Sequence, residues 1–201
     1  MIDFSLSPET ENARSMVHMM AESTMRPISR EYDEREHEKP MDWINMMWTA
    51  TKGMVSVGSE KKEGKGERKP SERQVRMAVV IEELSWGDAG LYLATPGPGL
   101  GGAAVFAAGT QEQWGEFLTR FNEGKPKWGA MAMTEAGCGS DTSAIQATAA
   151  RDGDYWVLNG EKIFVTMGHR ALDLSEGIIV VWASVDKSAG RAGMKSFVVE
   201  A

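Results

Sequence analysis

The spacing of apolar and polar positions divides the chain near residue 126, with helical periodicity before it and strand-like runs after it. Ser7 followed by Pro8 and Glu9 reads as a helix start: a hydroxyl for free amides, proline in the first turn and an acid at the positive end of the helix dipole. That helix is expected to reach about Met25. Pro27 is expected to break it, and the charged stretch Arg30 to Glu38 to resume it as a solvated face. A second helix spans Asp42 to Met54, with Trp43, Met46, Met47 and Met54 spaced to bury one side and Gly53 weakening its end. From Ser71 a longer helix puts Val75, Val79 and Leu84 on one face and Glu82-Glu83 on the other. Ala103 to Ala108 and Gln111 to Phe121 read as two further short helices.

Beyond Pro126 the runs Trp128 to Met133, Ala144 to Arg151, Tyr155 to Leu158, Lys162 to Thr166, Ile178 to Val185 and Lys195 to Val199 read as strands. Asn159-Gly160 predicts a tight turn closing a hairpin, because both central positions of that turn need positive φ. The last apolar run reaches Ala201 without a closing turn, so a further segment or another chain is expected to complete the sheet. The expected organisation is a helical domain over residues 1–126 and an incomplete β-domain over 127–201.

Composition narrows the function classes. A net charge of -7 argues against general nucleic-acid binding, which needs a clustered positive face. No apolar run approaches the roughly 20 residues of a membrane span, and Met1 to Leu6 carry no secretory leader, so a cytoplasmic protein is expected. Cys138 is the only cysteine, and His18, His37 and His169 lack close companions, so neither a disulfide nor a metal site is expected. Of fourteen methionines, Met16, Met19 and Met20 share a helical stripe and read as adaptable core. Ser59 to Pro70, rich in Lys, Glu and Gly, reads as a solvated loop.

Gly97-Pro98-Gly99-Leu100-Gly101-Gly102 satisfies the spacing of a dinucleotide-binding loop, but its flanks read as helices and no second parallel strand follows. Close helix packing or a turn is the better reading. The segment from Met131 to Asp141 instead takes a strand into a loop with alternating glycines, then a hydroxyl and an acid. Glycines let main-chain amides approach a ligand, while Thr134 and Ser140 offer hydrogen bonds, which describes a cradle for an anion or a heterocycle.

Thr134 to Asp141, with the later Asn159-Gly160-Glu161-Lys162-Ile163-Phe164-Val165-Thr166-Met167-Gly168, resembles the acyl-CoA dehydrogenase family. Glu82-Glu83-Leu84 and Gly109 to Gln113 extend the likeness upstream. The resemblance implies an α+β chain: an amino-terminal helical domain, an antiparallel β-barrel or sandwich, and a carboxyl-terminal helical bundle that lies outside this chain. It implies FAD, with Met131, Met133 and Thr134 facing the flavin and Gly139 and Ser140 along it. Ser140 would also touch the CoA part of an acyl-CoA substrate. Phe164, Val165 and Thr166 would sit against the ring, with Thr166 near N5. The family's base is a Glu from the carboxyl-terminal bundle, and no position here matches it.

Three departures stand out. Phe164 replaces a tryptophan, Ala136 replaces a loop proline, and Met167-Gly168-His169 replaces a more polar sequence. Cys138 is also unusual there, but no histidine is locally placed to activate it. The implied partners are an acyl-CoA, a second polypeptide or missing carboxyl-terminal portion, an electron-transfer flavoprotein as acceptor, and other subunits of a homo- or hetero-oligomer. A related acyl-CoA oxidase or flavin monooxygenase, and a non-catalytic subunit, remain alternatives.

Overall fold

The structure is a computed structural model that describes residues 5–55 and 72–200. The loop expected over Ser59 to Pro70 lies outside the described residues. The chain divides into two compact units, 1–47 with 60–95, and 48–59 with 96–201.

In the first unit, the Ser7 hydroxyl accepts from Thr10 N (3.3 Å) and starts α1, Pro8–Met20. Pro27 does not break the helix as expected. A single wide turn, Ala21–Met25, precedes it, with Arg26 N donating five residues back to Ala21 O, and α2, Arg26–Glu34, follows directly. The extra residue relieves the clash between the proline ring and the preceding turn. Hydroxyls satisfy the loosened carbonyls: Ser23 Oγ donates to Met19 O (2.8 Å) and Thr24 Oγ1 to Met20 O (2.7 Å).

Two expected apolar faces differ in part, although Val79, Leu84 and Met20 are half-buried. Along α4, Arg73–Ala94, the buried positions are Glu83, Gly87, Leu91 and Ala94, while Val75 is 48% exposed. Glu83 can be buried because Arg14 Nε (2.9 Å) and His18 Nδ1 (2.7 Å) meet its carboxylate. The His18 hydrogen bond, then that of Arg14, holds this carboxyl below its ordinary range against the opposing effect of burial. Met16 and Met19 are exposed rather than core, the former at 68%. α1 and its wide turn bury Thr10, Ala21 and the large side chain of Met25 instead.

Gly87 has no room for a side chain, since a Cβ would lie 2.9 Å from both Ala21 Cβ and Met25 Sδ. At Asp88 α4 leaves helical geometry, and Asp88 Oδ1 accepts from Leu91 N (2.7 Å), capping the half that follows. The other carboxylate oxygen accepts from Ser29 Oγ. In α3, Met41–Thr51, Trp43 and Ile44 are buried, and Trp43 Nε1 donates to Leu91 O (2.8 Å). Met46 and Met54, expected on the buried side, are exposed.

The second unit begins with the last turn of α3. Trp48 Nε1 donates to Gly124 O (2.8 Å), and Trp48 joins Val105, Trp114, Leu118, Phe121, Ile178 and Val180 in one core. The rejected dinucleotide motif is a packing device: α5, Gly99–Ala108, lies so close to β1, Gly129–Ala132, that a Cβ at Gly101 would stand 2.4 Å from Ala130 O. A capping box starts α6, Gln111–Leu118: Gln113 N donates to Thr110 Oγ1 (3.3 Å) and Thr110 N to Gln113 Oε1 (2.9 Å). We expect Thr110→Ala to cost about 1 kcal/mol in urea unfolding.

The sheet is mixed rather than antiparallel, and among the described residues it is open. β4, Ile178–Ser184, pairs parallel with β1 (Gly129↔Ile178) and along its other edge antiparallel with β5, Met194–Glu200 (Ile178↔Glu200). β2, Thr148–Asp152, meets β4 in parallel at Thr148↔Ser184 and pairs antiparallel with β3, Tyr155–Asn159. A parallel β1–β4 pair needs a long crossover, which residues 133–177 provide. A strand covered on both faces is apolar throughout, as Ile178, Ile179 and Val180 are.

The β2–β3 hairpin turns at Gly153-Asp154, with Gly153 at φ 59°, and not at Asn159-Gly160. Gly160 ends β3 instead, at φ 143°, where a Cβ would lie 2.7 Å from Ala147 Cα. Lys162 to Thr166 is not a strand: Phe164 and Met167 both have positive φ, which a pleated strand excludes. No helix among the described residues is long and apolar enough to cross a membrane.

Candidate functional site

Strand β1 ends at Ala132 and delivers Met133 and Thr134 to a loop that closes on itself, Glu135 N donating to Cys138 O (2.9 Å) and Cys138 N to Glu135 O (3.2 Å). Gly137 and Gly139 leave open space, with nothing within 4 Å of an added Cβ. Nothing among the described residues fills what these glycines vacate. Asp141 turns the loop back: its Oδ1 accepts from Ser143 N (3.1 Å), and bonding to Ser143 holds its carboxyl below the usual range, with the charge of Arg191 adding to the effect.

The second motif returns alongside the first. Ile163 N donates to Thr134 O (2.9 Å), and Lys162 Nζ donates to Met133 O (3.0 Å) and to Glu135 Oε1 (2.7 Å). Two segments about thirty positions apart in sequence therefore meet backbone to backbone beside the end of β1. Of the residues the sequence proposed, Met131, Met133, Thr134 and Val165 are half-buried, while Gly139, Ser140, Phe164 and Thr166 are exposed. The joint brings Thr134 next to Ile163, and Phe164 follows at once. Gly139 and Ser140 lie further along the loop.

Phe164 combines two costs. Its φ is 57°, a strained value for a residue with a side chain, and its ring is 87% exposed. Neither the Thr134 nor the Thr166 hydroxyl is engaged in a hydrogen bond among the described residues. A strained exposed ring, two free hydroxyls and glycines that open onto space suit a flat, hydrogen-bonding heterocycle, and FAD fits that donor set. Nearby, Thr142, Ser143, Gln146, Ser184, Lys187 and Met194 line a polar cleft of about 160 Å³. Among the described residues no three His, Cys, Asp or Glu side chains gather to hold a metal ion.

Glu135 and Lys162 escaped the sequence reading as site residues. The signal was an acid and a base, each set in a motif of glycines, apolar residues and hydroxyls. Cys138 is buried with Sγ 3.8 Å from Glu135 Oε2.

A helical region followed by a mixed sheet, with two glycine-bearing loops joined at the end of β1, is a scaffold that known proteins share. The family model described as the N-terminal domain of acyl-CoA dehydrogenase matches residues 7–125, and that of the middle domain matches 130–201. The chain belongs to the acyl-CoA dehydrogenase family, a family of oxidoreductases. It is similar to the short-chain-specific acyl-CoA dehydrogenase of Clostridium acetobutylicum, at 32% identity over 201 residues, covering 99% of this chain and 49% of that protein.

Among solved structures it is similar to butyryl-CoA dehydrogenase from Megasphaera elsdenii, with a TM-score of 0.72 and 29% identity over 99% of this chain and 50% of that one. It is also similar to a chain from a structure described as the electron transferring flavoprotein of Acidaminococcus fermentans, with a TM-score of 0.75 and 30% identity over 100% of this chain and 50% of that one. The chain thus spans about half the length of the relatives it matches.

Proposed function

We propose that this chain supplies the flavin-facing loops of an FAD-dependent α,β-dehydrogenation of an acyl-CoA thioester, with residues 1–126 as its helical domain and 127–201 as its β-domain. The carrying observation is the joint of Ile163 N with Thr134 O, which sets the two motif loops side by side and leaves Phe164 strained and exposed next to it. A bound flavin would supply a hydride acceptor for the β-hydrogen of the thioester. Thr134 and Thr166 would donate hydrogen bonds to the ring edge, Thr166 near N5, and so stabilise the negative charge that develops on reduction. Met131, Met133 and Val165 give the ring an apolar bed, and Phe164 keeps water from it. Gly139 and Ser140 run along the cofactor, and Ser140 also contacts the CoA part of the substrate.

The base that removes the α-proton is supplied by a second polypeptide or a carboxyl-terminal portion, within a homo- or hetero-oligomer. An electron-transfer flavoprotein is the acceptor in this reading, and the cytoplasm its compartment. The likeness to a structure described as an electron transferring flavoprotein supports the choice of acceptor.

The test is intact mass and visible absorption of the native preparation, then FAD titration and anaerobic addition of mixed short acyl-CoA thioesters. Bound flavin bleached by a thioester is the expected result. Thr166→Ala should weaken FAD binding about fivefold to tenfold, the value of one hydrogen bond. A protein that takes up no FAD, alone or with its co-purifying chain, sinks the proposal.

A further inference from the structure

Glu135 and Lys162 occupy the joint between the motif loops, with side chains only 7% and 9% exposed. Four donors converge on one carboxylate. Lys162 Nζ (2.7 Å) and Ala147 N (2.8 Å) reach Oε1, while Gln146 N (2.6 Å) and the more distant Cys138 Sγ (3.8 Å) reach Oε2. Burial alone would disfavour the charged form, but the bonds from Lys162, Ala147 and Gln146 outweigh it and hold this carboxyl below its ordinary range. The carboxylate therefore ties together the loop after β1, the approach to β2 and the segment after β3. Lys162 adds a second bond to Met133 O, the carbonyl just before Thr134.

Cohesion alone does not call for such a pair. A buried ion pair replaced on both sides by neutral groups of similar volume is often no less stable, so its distinctive contribution here is geometry. The geometry points to Glu135 and Lys162 as positioning residues that hold Thr134 and Thr166 at the separation the cofactor ring requires. Thr134 adjoins Glu135 in sequence, and Thr166 lies one turn of irregular chain beyond Lys162. Neither charged group needs to touch the ring. The inference rests on the flavin reading for the identity of the ligand, and on the chain's own hydrogen bonds for the clamp.

The experiment compares wild type with the double variant Glu135→Gln/Lys162→Met by thermal melting, by amide hydrogen exchange at Ala147 and Ile163, and by FAD titration. The double variant should melt cooperatively, exchange Ile163 at least about tenfold faster, and bind FAD at least about tenfold more weakly. Unchanged exchange together with unchanged FAD affinity overturns the inference. Lys162→Arg guards against a double variant that does not fold. It keeps the charge, but a planar fork cannot set one nitrogen against both Met133 O and Glu135. A folded Lys162→Arg protein with FAD affinity reduced about fivefold supports the clamp, and wild-type affinity overturns it. If the wild type takes no FAD, the flavin reading fails, while exchange at Ile163 still decides the clamp.

Discussion

Lys162→Met alone is expected to destabilise the protein by about 3–5 kcal/mol, because it strands the Glu135 carboxylate in a site that excludes water. In a chain of this size that lowers the melting temperature by roughly 10 °C. The carboxylate would keep the Gln146 and Ala147 amides and lose the Lys162 counter-charge. Adding Glu135→Gln should recover most of the loss, since the charge then leaves with its partner. Urea unfolding of both variants checks this, and a single variant within 1 kcal/mol of wild type at neutral pH, an order-of-magnitude bound, would contradict it.

Gly101→Ala is expected to cost about 3 kcal/mol or more, at the high end for overpacking. The added carbon would meet Ala130 O at 2.4 Å and Ala130 N at 3.0 Å. Both are backbone atoms of a strand paired with β4, so neither can rotate aside, and α5 must lift from β1. Gly115→Ala is the matched control. It lies within α6 with nothing within 4 Å of an added Cβ, and should stabilise by about 0.5–1 kcal/mol through helix propensity alone. The contrast separates steric closeness from the general effect of removing a glycine. Equal effects at the two sites would show that α5 has room to shift.

The parts legible in the sequence were those written in local chemistry. Ser7 announces a helix start, the Gly97 to Gly102 run marks a close approach, and the Thr134 and Asn159 motifs follow in order. What stayed hidden depends on partners distant in sequence. Val75 has the right periodicity for a core and is exposed, while Glu83 is buried because Arg14 and His18, on another helix, meet its charge.

Lys162 to Thr166 has the composition of a strand. Its backbone is committed elsewhere, Ile163 N to Thr134 O, and Phe164 adopts a conformation that ends any ladder. The Asn159-Gly160 pair is a sound turn signal in isolation. The hairpin closed six residues earlier, at Gly153-Asp154, which left Gly160 to serve a close contact with Ala147. Within the candidate site, the ligand-facing residues were proposed by resemblance, whereas the buried pair at their joint emerged only from the folded geometry.

The wide turn at Ala21–Met25 bears on how chain length can drift among related sequences. Each residue added to or removed from a helix rotates everything after it by about 100°. One residue fewer between 21 and 25 would restore an unbroken helix, but would swing Ser29 away from Asp88 and push the ring of Pro27 into the preceding turn. Substitutions are tolerable at its exposed positions Glu22 and Ser23, whereas single-residue deletions are not. A gap-free alignment across these five positions should therefore mark shared helix packing more faithfully than the identity of any residue within them.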